Sequence, residues 1–72
     1  MDKLYAEYAD YMASVCTRYL GYTDDVHDVL QEAFIRVFTR IDSFVYKGEG
    51  SLKAWLTKIV VNEALRFLRD HN

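Results

Sequence analysis

Apolar residues recur at intervals of three and four along almost the whole chain, a period that predicts helices and no strands. The first run comprises Leu4, Tyr8, Tyr11, Met12, Val15 and Tyr19, with Glu7, Asp10, Ser14 and Arg18 opposite them, and predicts an amphipathic helix from Lys3 to Leu20. Gly21 follows as a natural stop. Because Tyr8, Tyr11 and Tyr19 keep the core period, they are expected to pack, with hydroxyls at the rim, and not to form a stacking platform. Thr23-Asp24-Asp25 offers a capping side chain and early negative charge for a second helix, Asp24 to Phe44. Its stripe is Val26, Val29, Leu30, Ala33, Phe34, Val37 and Ile41. The segment V-Y-K-G-E-G reads as a loop, with Ser51 expected to cap a third helix reaching Arg69. On that helix Leu52, Leu56, Ile59, Val60 and Phe67 share the core side. Ala54, Val61, Leu65 and Leu68 make a second apolar stripe, which either packs on the first helix or forms a surface for a covering domain or inhibitory partner. The expected fold is an all-α, compact three-helix bundle.

The polar sides carry the candidate chemistry. Trp55, Lys58, Asn62, Arg66 and Arg69 line up at spacings of three and four along the third helix. Cations neutralise phosphates, an indole offers a stacking face and an amide can read a base edge, so the row suits a nucleic-acid strand. The plainer reading is a solvated helix face with Trp55 half buried. Tyr46 and Lys47 lie on the loop at the mouth of this row, where an aromatic and a cation could wrap an unstacked base. On the second helix Asp28, Gln31, Glu32, Ile35 and Thr39 cluster opposite the core stripe. An isoleucine ringed by acids and an amide resembles the centre of a small protein interface, although a single exposed isoleucine is also ordinary.

Charge sharpens this division. The 72 residues carry a formal net charge of −2, unusual for a free-standing nucleic-acid binder. That value hides a gradient: two bases face seven acids up to Glu32, whereas seven bases face four acids from Ala33 onward. An acidic half joined to a basic half points to two different partners. A 51% apolar content without proline argues for a folded single domain. No apolar run approaches the roughly 20 residues needed to cross a bilayer, and M-D-K-L-Y-A-E-Y lacks a signal-peptide pattern, so the expectation is a cytoplasmic protein without a membrane partner. Cys16, the single cysteine, is expected to pack beside the first stripe. Asp24, His27, Asp28 and Glu32 lack facing ligands for a metal site, and His71 at the C-terminus has no assigned role. K-G-E-G-S-L-K lacks the strand and the Gly-Lys-Ser/Thr ending of a phosphate loop. With no nucleophile–base pair either, no catalysis, metal or cofactor is expected.

The stretch D-D-V-H-D-V-L-Q-E-A-F-I-R-V-F, then D-S-F, a glycine-bearing loop and W-L-T-K-I-V-V-N-E-A-L, strongly resembles region 2 of bacterial sigma factors of the extracytoplasmic-function group. The match covers nearly the whole chain. It implies a transcription-initiation domain that docks on the clamp coiled coil of the largest core RNA polymerase subunit, which carries over to Asp28, Gln31, Glu32 and Ile35, with Thr39 on the same face. It also implies capture of the non-template single strand of the minus-ten promoter DNA as it melts, with a base flipped into the loop. Motif position assigns Trp55, Lys58 and Asn62 to that task; Tyr46, Lys47, Lys53, Arg66 and Arg69 join them by helix geometry and charge. An anti-sigma factor is a further possible partner. The loop before Trp55 is about two residues longer than the family pattern, and Leu52 stands where an aromatic is common, which leaves the recognised base open. The resemblance further implies a fragment lacking the C-terminal promoter-binding domain. Two alternatives remain: a helical interaction module, a sigma mimic or regulator, that binds polymerase or another protein without contacting DNA, and a plain structural bundle.

Overall fold

Proline-free, strongly periodic stretches fold into three α-helices in the computed structural model, which describes residues 2–70 and omits the side chains of Asp2, Leu4 and Tyr5. Helix α1 spans Asp2–Leu20, α2 spans Asp25–Arg40 and α3 spans Ser51–Asp70, with a 3-10 turn at Ile41–Ser43 after α2. The Leu4 side chain and His71, both singled out from the sequence, lie outside the described residues. Gly21 ends α1 as its residue type requires: its φ of 78° is left-handed, and its N–H donates to the Thr17 carbonyl at 2.8 Å.

The other helix ends differ from expectation. Asp24 is already helical and makes no side-chain cap bond, so the expected hydroxyl or carboxylate cap is absent from α2. Backbone carbonyls replace it, Thr23 accepting from the Val26 N–H and Asp24 from the His27 N–H, each at 3.2 Å. At its other end α2 stops at Arg40, short of Phe44. Ser43 Oγ donates to the Arg40 carbonyl at 2.7 Å, and the Phe44 N–H donates to Ile41 at 3.1 Å. These short-range bonds tighten the chain into a 3-10 turn, after which Phe44 is extended. Ser51 is the first residue of α3 and not its cap. The capping position belongs to Gly50, at φ 87°, whose carbonyl accepts the Ala54 N–H at 3.0 Å. The Ser51 hydroxyl turns backward instead and accepts the Lys47 N–H at 3.2 Å.

All three helices converge on one core. Met12, Val15 and Cys16 meet Val29, Ala33, Phe34 and Val37, and Leu56, Ile59, Val60 and Ala64 complete the cluster. Tyr8 and Tyr11 pack against its edge, as do Leu52, Trp55 and Phe67. Tyr19 corrects the sequence reading: it is 43% exposed, and the neighbouring Leu20 packs on the core in its place. The second stripe of α3 divides, with Val61 packed on the core edge, Leu68 half-buried, and Ala54 and Leu65 exposed.

A charged pair lies inside this apolar frame. Glu63 is only 7% exposed, and its Oε1 meets Arg36 Nε in an ion pair that joins α3 to α2. A carboxylate removed from water needs such a partner, because its unpaired burial costs several kcal/mol. The pair also fixes which turn of α2 faces which turn of α3.

Two tests follow from this packing. Glu63→Ala leaves Arg36 without its partner and is expected to cost about 2–3 kcal/mol, below the value for a fully enclosed pair because water reaches Arg36; thermal unfolding followed by circular dichroism reads this. Replacing both partners with apolar residues of similar size recovers most of the loss. Cys16 is fully buried, and burial raises its thiol pKa above the ordinary 9.0. Native protein should therefore resist alkylation at neutral pH until denatured. Above about pH 9 an unfolded chain releases this proton while the folded one keeps it, so stability falls with rising pH, and Cys16→Ala removes that part of the slope.

Candidate nucleic-acid interface and protein-docking face

Helix α3 projects its polar row as its period dictates. Lys58, Asn62, Arg66 and Arg69 are exposed, while Trp55 is half-buried. Phe44, turned inward by its extended backbone, packs against Trp55 with ring centroids 5.2 Å apart and planes at 46°. A hollow of about 410 Å³ opens beside this pair. Its walls are Ser43, Phe44 and Val45 after α2, and Ser51, Ala54 and Trp55 of α3, with Lys47 between them in sequence. The bond from Lys47 N–H to Ser51 folds the loop back over the start of α3, which places Lys47 here. Tyr46 is 69% exposed on the same loop. An aromatic wall, a cation and hydroxyls around an apolar hollow suit a flat, polar-edged ring next to a phosphate.

Not every residue expected on this face gathers there. Lys53 precedes Trp55 by two positions, about 200° around the helix, and lies against α1, with its Nζ 4.4 Å from the centroid of the Tyr11 ring. Arg69 pairs with the adjacent Asp70 at 3.3 Å. This exposed contact is weak but offsets charge locally. Arg66 lines a groove of about 180 Å³ between α2 and α3, together with Asp28, Glu32 and Asp70. The basic row is thus compensated toward the end of α3 and strongest near its start.

The acidic face of α2 forms as the sequence predicts. Asp28, Gln31, Glu32, Ile35 and Thr39 are all exposed, Ile35 at 52%. Thr39 Oγ1 donates to the Ile35 carbonyl at 2.7 Å, which holds the threonine methyl near the isoleucine turn. Through Arg66 this face adjoins the polar row, so the two candidate surfaces meet at the α2–α3 groove. The period missed Phe44 as a cavity wall, since it fits the apolar repeat of a longer α2. It also missed Tyr11, which hydrogen-bonds Thr57 at 2.8 Å across a sequence separation of 46; no local pattern signals that contact. Glu63 could have been found, because it stands on the core stripe between Ile59 and Phe67.

Comparison with known proteins places these surfaces in context. Residues 4–72 match the family model for Sigma-70 region 2. The chain is 38% identical over 65 residues to the ECF RNA polymerase sigma-E factor of Haemophilus influenzae, covering 90% of this chain and 33% of that protein. It is 40% identical over 65 residues to the ECF RNA polymerase sigma-E factor of Escherichia coli K12, covering 90% and 32%. The chain therefore spans about a third of the length of the curated relatives it matches. No solved structure matches significantly. Among the described residues, no helix is long and apolar enough to cross a membrane.

The exposure of Ile35 generates a direct check. Ile35→Asp is expected to change stability by less than about 0.5 kcal/mol, measured by urea unfolding, whereas a core isoleucine would cost several times more.

Proposed function

The chain belongs to the Sigma-70 region 2 family, in its extracytoplasmic-function group, and on that basis we propose that it serves transcription initiation as a domain with two partners. The acidic face of α2 docks on core RNA polymerase, at the clamp coiled coil of the largest subunit. The start of α3 and the loop before it hold the non-template strand of the minus-ten element once it unpairs. The observation that carries this reading is the hollow walled by Phe44 and Trp55 with Lys47 beside it, a place for one unstacked base, with the exposed amide of Asn62 about two turns further along the same face of α3.

Such a domain melts DNA without chemical energy. Stacking a captured base contributes about 1–3 kcal/mol, comparable with the mean of about 1.4 kcal/mol per step that opening disrupts. A few captured bases therefore shift the equilibrium toward the open strand. The net charge of −2 fits this division of labour: a modest basic face is effective when polymerase binding raises the local concentration of promoter DNA. Compensation of Arg66 and Arg69 by nearby acids favours a second reading, a helical interaction module that engages polymerase through Ile35 and leaves DNA alone.

One experiment separates the two. Binding of a fluorescent single-stranded minus-ten oligonucleotide is measured with this chain mixed with core polymerase, and with each alone. The expected result is sequence-dependent capture that needs both proteins and falls about tenfold with Asn62→Ala, the loss of a bidentate base contact. Ile35→Asp should remove core binding while the fold persists. Core binding with no gain in oligonucleotide capture would support the interaction module instead.

A further inference from the structure

Beside the Trp55–Asn62 row, toward α1, a shallow hollow of about 520 Å³ lies between α1 and α3 and shares Lys58 with that row. Tyr11, Lys53, Thr57 and Lys58 bound it, and Ala54 and Val61 give it an apolar lining. Three observations make it more than a gap between helices. The Lys53 ammonium rests over the Tyr11 ring at 4.4 Å, an attraction that restricts a side chain otherwise free to sweep through solvent. The Tyr11 ring is itself fixed, because its hydroxyl bonds Thr57 Oγ1 at 2.8 Å and Thr57 Oγ1 lies 2.7 Å from the Lys53 carbonyl. Finally, Ala54 lines both this hollow and the one beside Trp55, and its small exposed side chain forms a low saddle between them.

We propose that the α1–α3 hollow is a phosphate track for the captured strand, which passes from the Trp55 hollow over Ala54, with Tyr11 as the residue that positions the Lys53 ammonium. This inference rests on the reading of α3 as a single-strand binder and extends it to residues on α1. Charge complementarity selects the occupant. Two lysines flank the hollow without a carboxylate among its lining residues, and an apolar saddle one side chain wide accommodates the sugar-phosphate chain of an unstacked strand. Lys53, which lies off the Trp55–Asn62 row, thereby joins the same ligand from the other side of the helix. Tyr11 contributes no charge; its role is to keep Lys53 extended toward the saddle.

The test is a double-mutant cycle on the complex of this chain with core polymerase, using single-stranded minus-ten oligonucleotides in which one phosphate at a time is a neutral methylphosphonate. In wild type, neutralising a phosphate that contacts a lysine is expected to weaken binding about threefold at about 0.2 M salt, the loss of one counterion-release contribution on single strands. Lys53→Gln should weaken the unmodified oligonucleotide by the same factor and make one phosphate position silent, within a few nucleotides of the base whose removal mimics Trp55→Ala. Tyr11→Leu should silence that same position although Lys53 is present, and Tyr11→Phe, which keeps the ring, should restore it. Methylphosphonate profiles that are the same in wild type and Lys53→Gln at every position would overturn the track. So would equal profiles for Tyr11→Leu and wild type, as far as the role of Tyr11 is concerned. If Trp55→Ala and Asn62→Ala also leave capture unchanged, the underlying single-strand reading fails, and the track fails with it.

Discussion

The architecture depends on the ion pair between Arg36 and Glu63. A core this small could slide, because its apolar contacts are interchangeable: Val29, Ala33 and Val37 repeat at intervals of four along α2, and a shift by one turn would bury similar groups. A buried carboxylate does not allow that freedom. Moving α2 by a turn breaks this contact: in one direction Glu32 would face Glu63 with no cation, and in the other only Arg40, the last residue of the helix, would stand opposite it. Any two faces carried on α2 and α3 thus have a fixed relation because one polar contact inside the core specifies register.

That relation matters because the proposed polymerase face and the proposed strand face belong to the two helices so joined. They run antiparallel, as Phe44 meets Trp55 at one end and Asp28 and Arg66 line one groove at the other. The acidic surface around Ile35 and the hollow beside Trp55 are accordingly held at a set separation along one rigid pair of helices. Docking of α2 would therefore aim α3 without any change of shape. Asp28, Glu32 and Asp70 surround Arg66 in the groove between α2 and α3, while Lys47, Lys53 and Lys58 concentrate positive charge where α3 begins.

Much of this was legible in the sequence, for a definite reason. Helix period and glycine chemistry are local, so α1, α3, the stop at Gly21 and the exposure of Ile35 follow from neighbouring residues. What the sequence misplaced depends on competition or on distance. Ile41 and Phe44 continue the apolar repeat of α2, yet Ser43 takes up a backbone carbonyl and ends it early. Ser51 looks like a cap, but its hydroxyl serves the loop. Tyr19 keeps the period of α1 and still faces water, while the adjacent Leu20 packs on the core. The contact of Lys53 with Tyr11 was not legible either, since Tyr11 is a partner that no local window contains.

The loop before α3 is fastened near its ends, by the Phe44–Trp55 packing and by the bond from Lys47 to Ser51. Its middle holds Gly48, which has a positive φ and open space where a side chain would stand. Core packing therefore places little demand on the residues between these fastenings. Exchanges at Glu49, and insertions that leave Gly48 and Gly50 at the positive φ only glycine adopts without strain, can alter the hollow while the folding energetics of the bundle stay nearly constant. Selection can thus diversify ligand preference in this segment without first passing through unstable intermediates, and related chains could diverge in what they recognise while sharing one inherited frame.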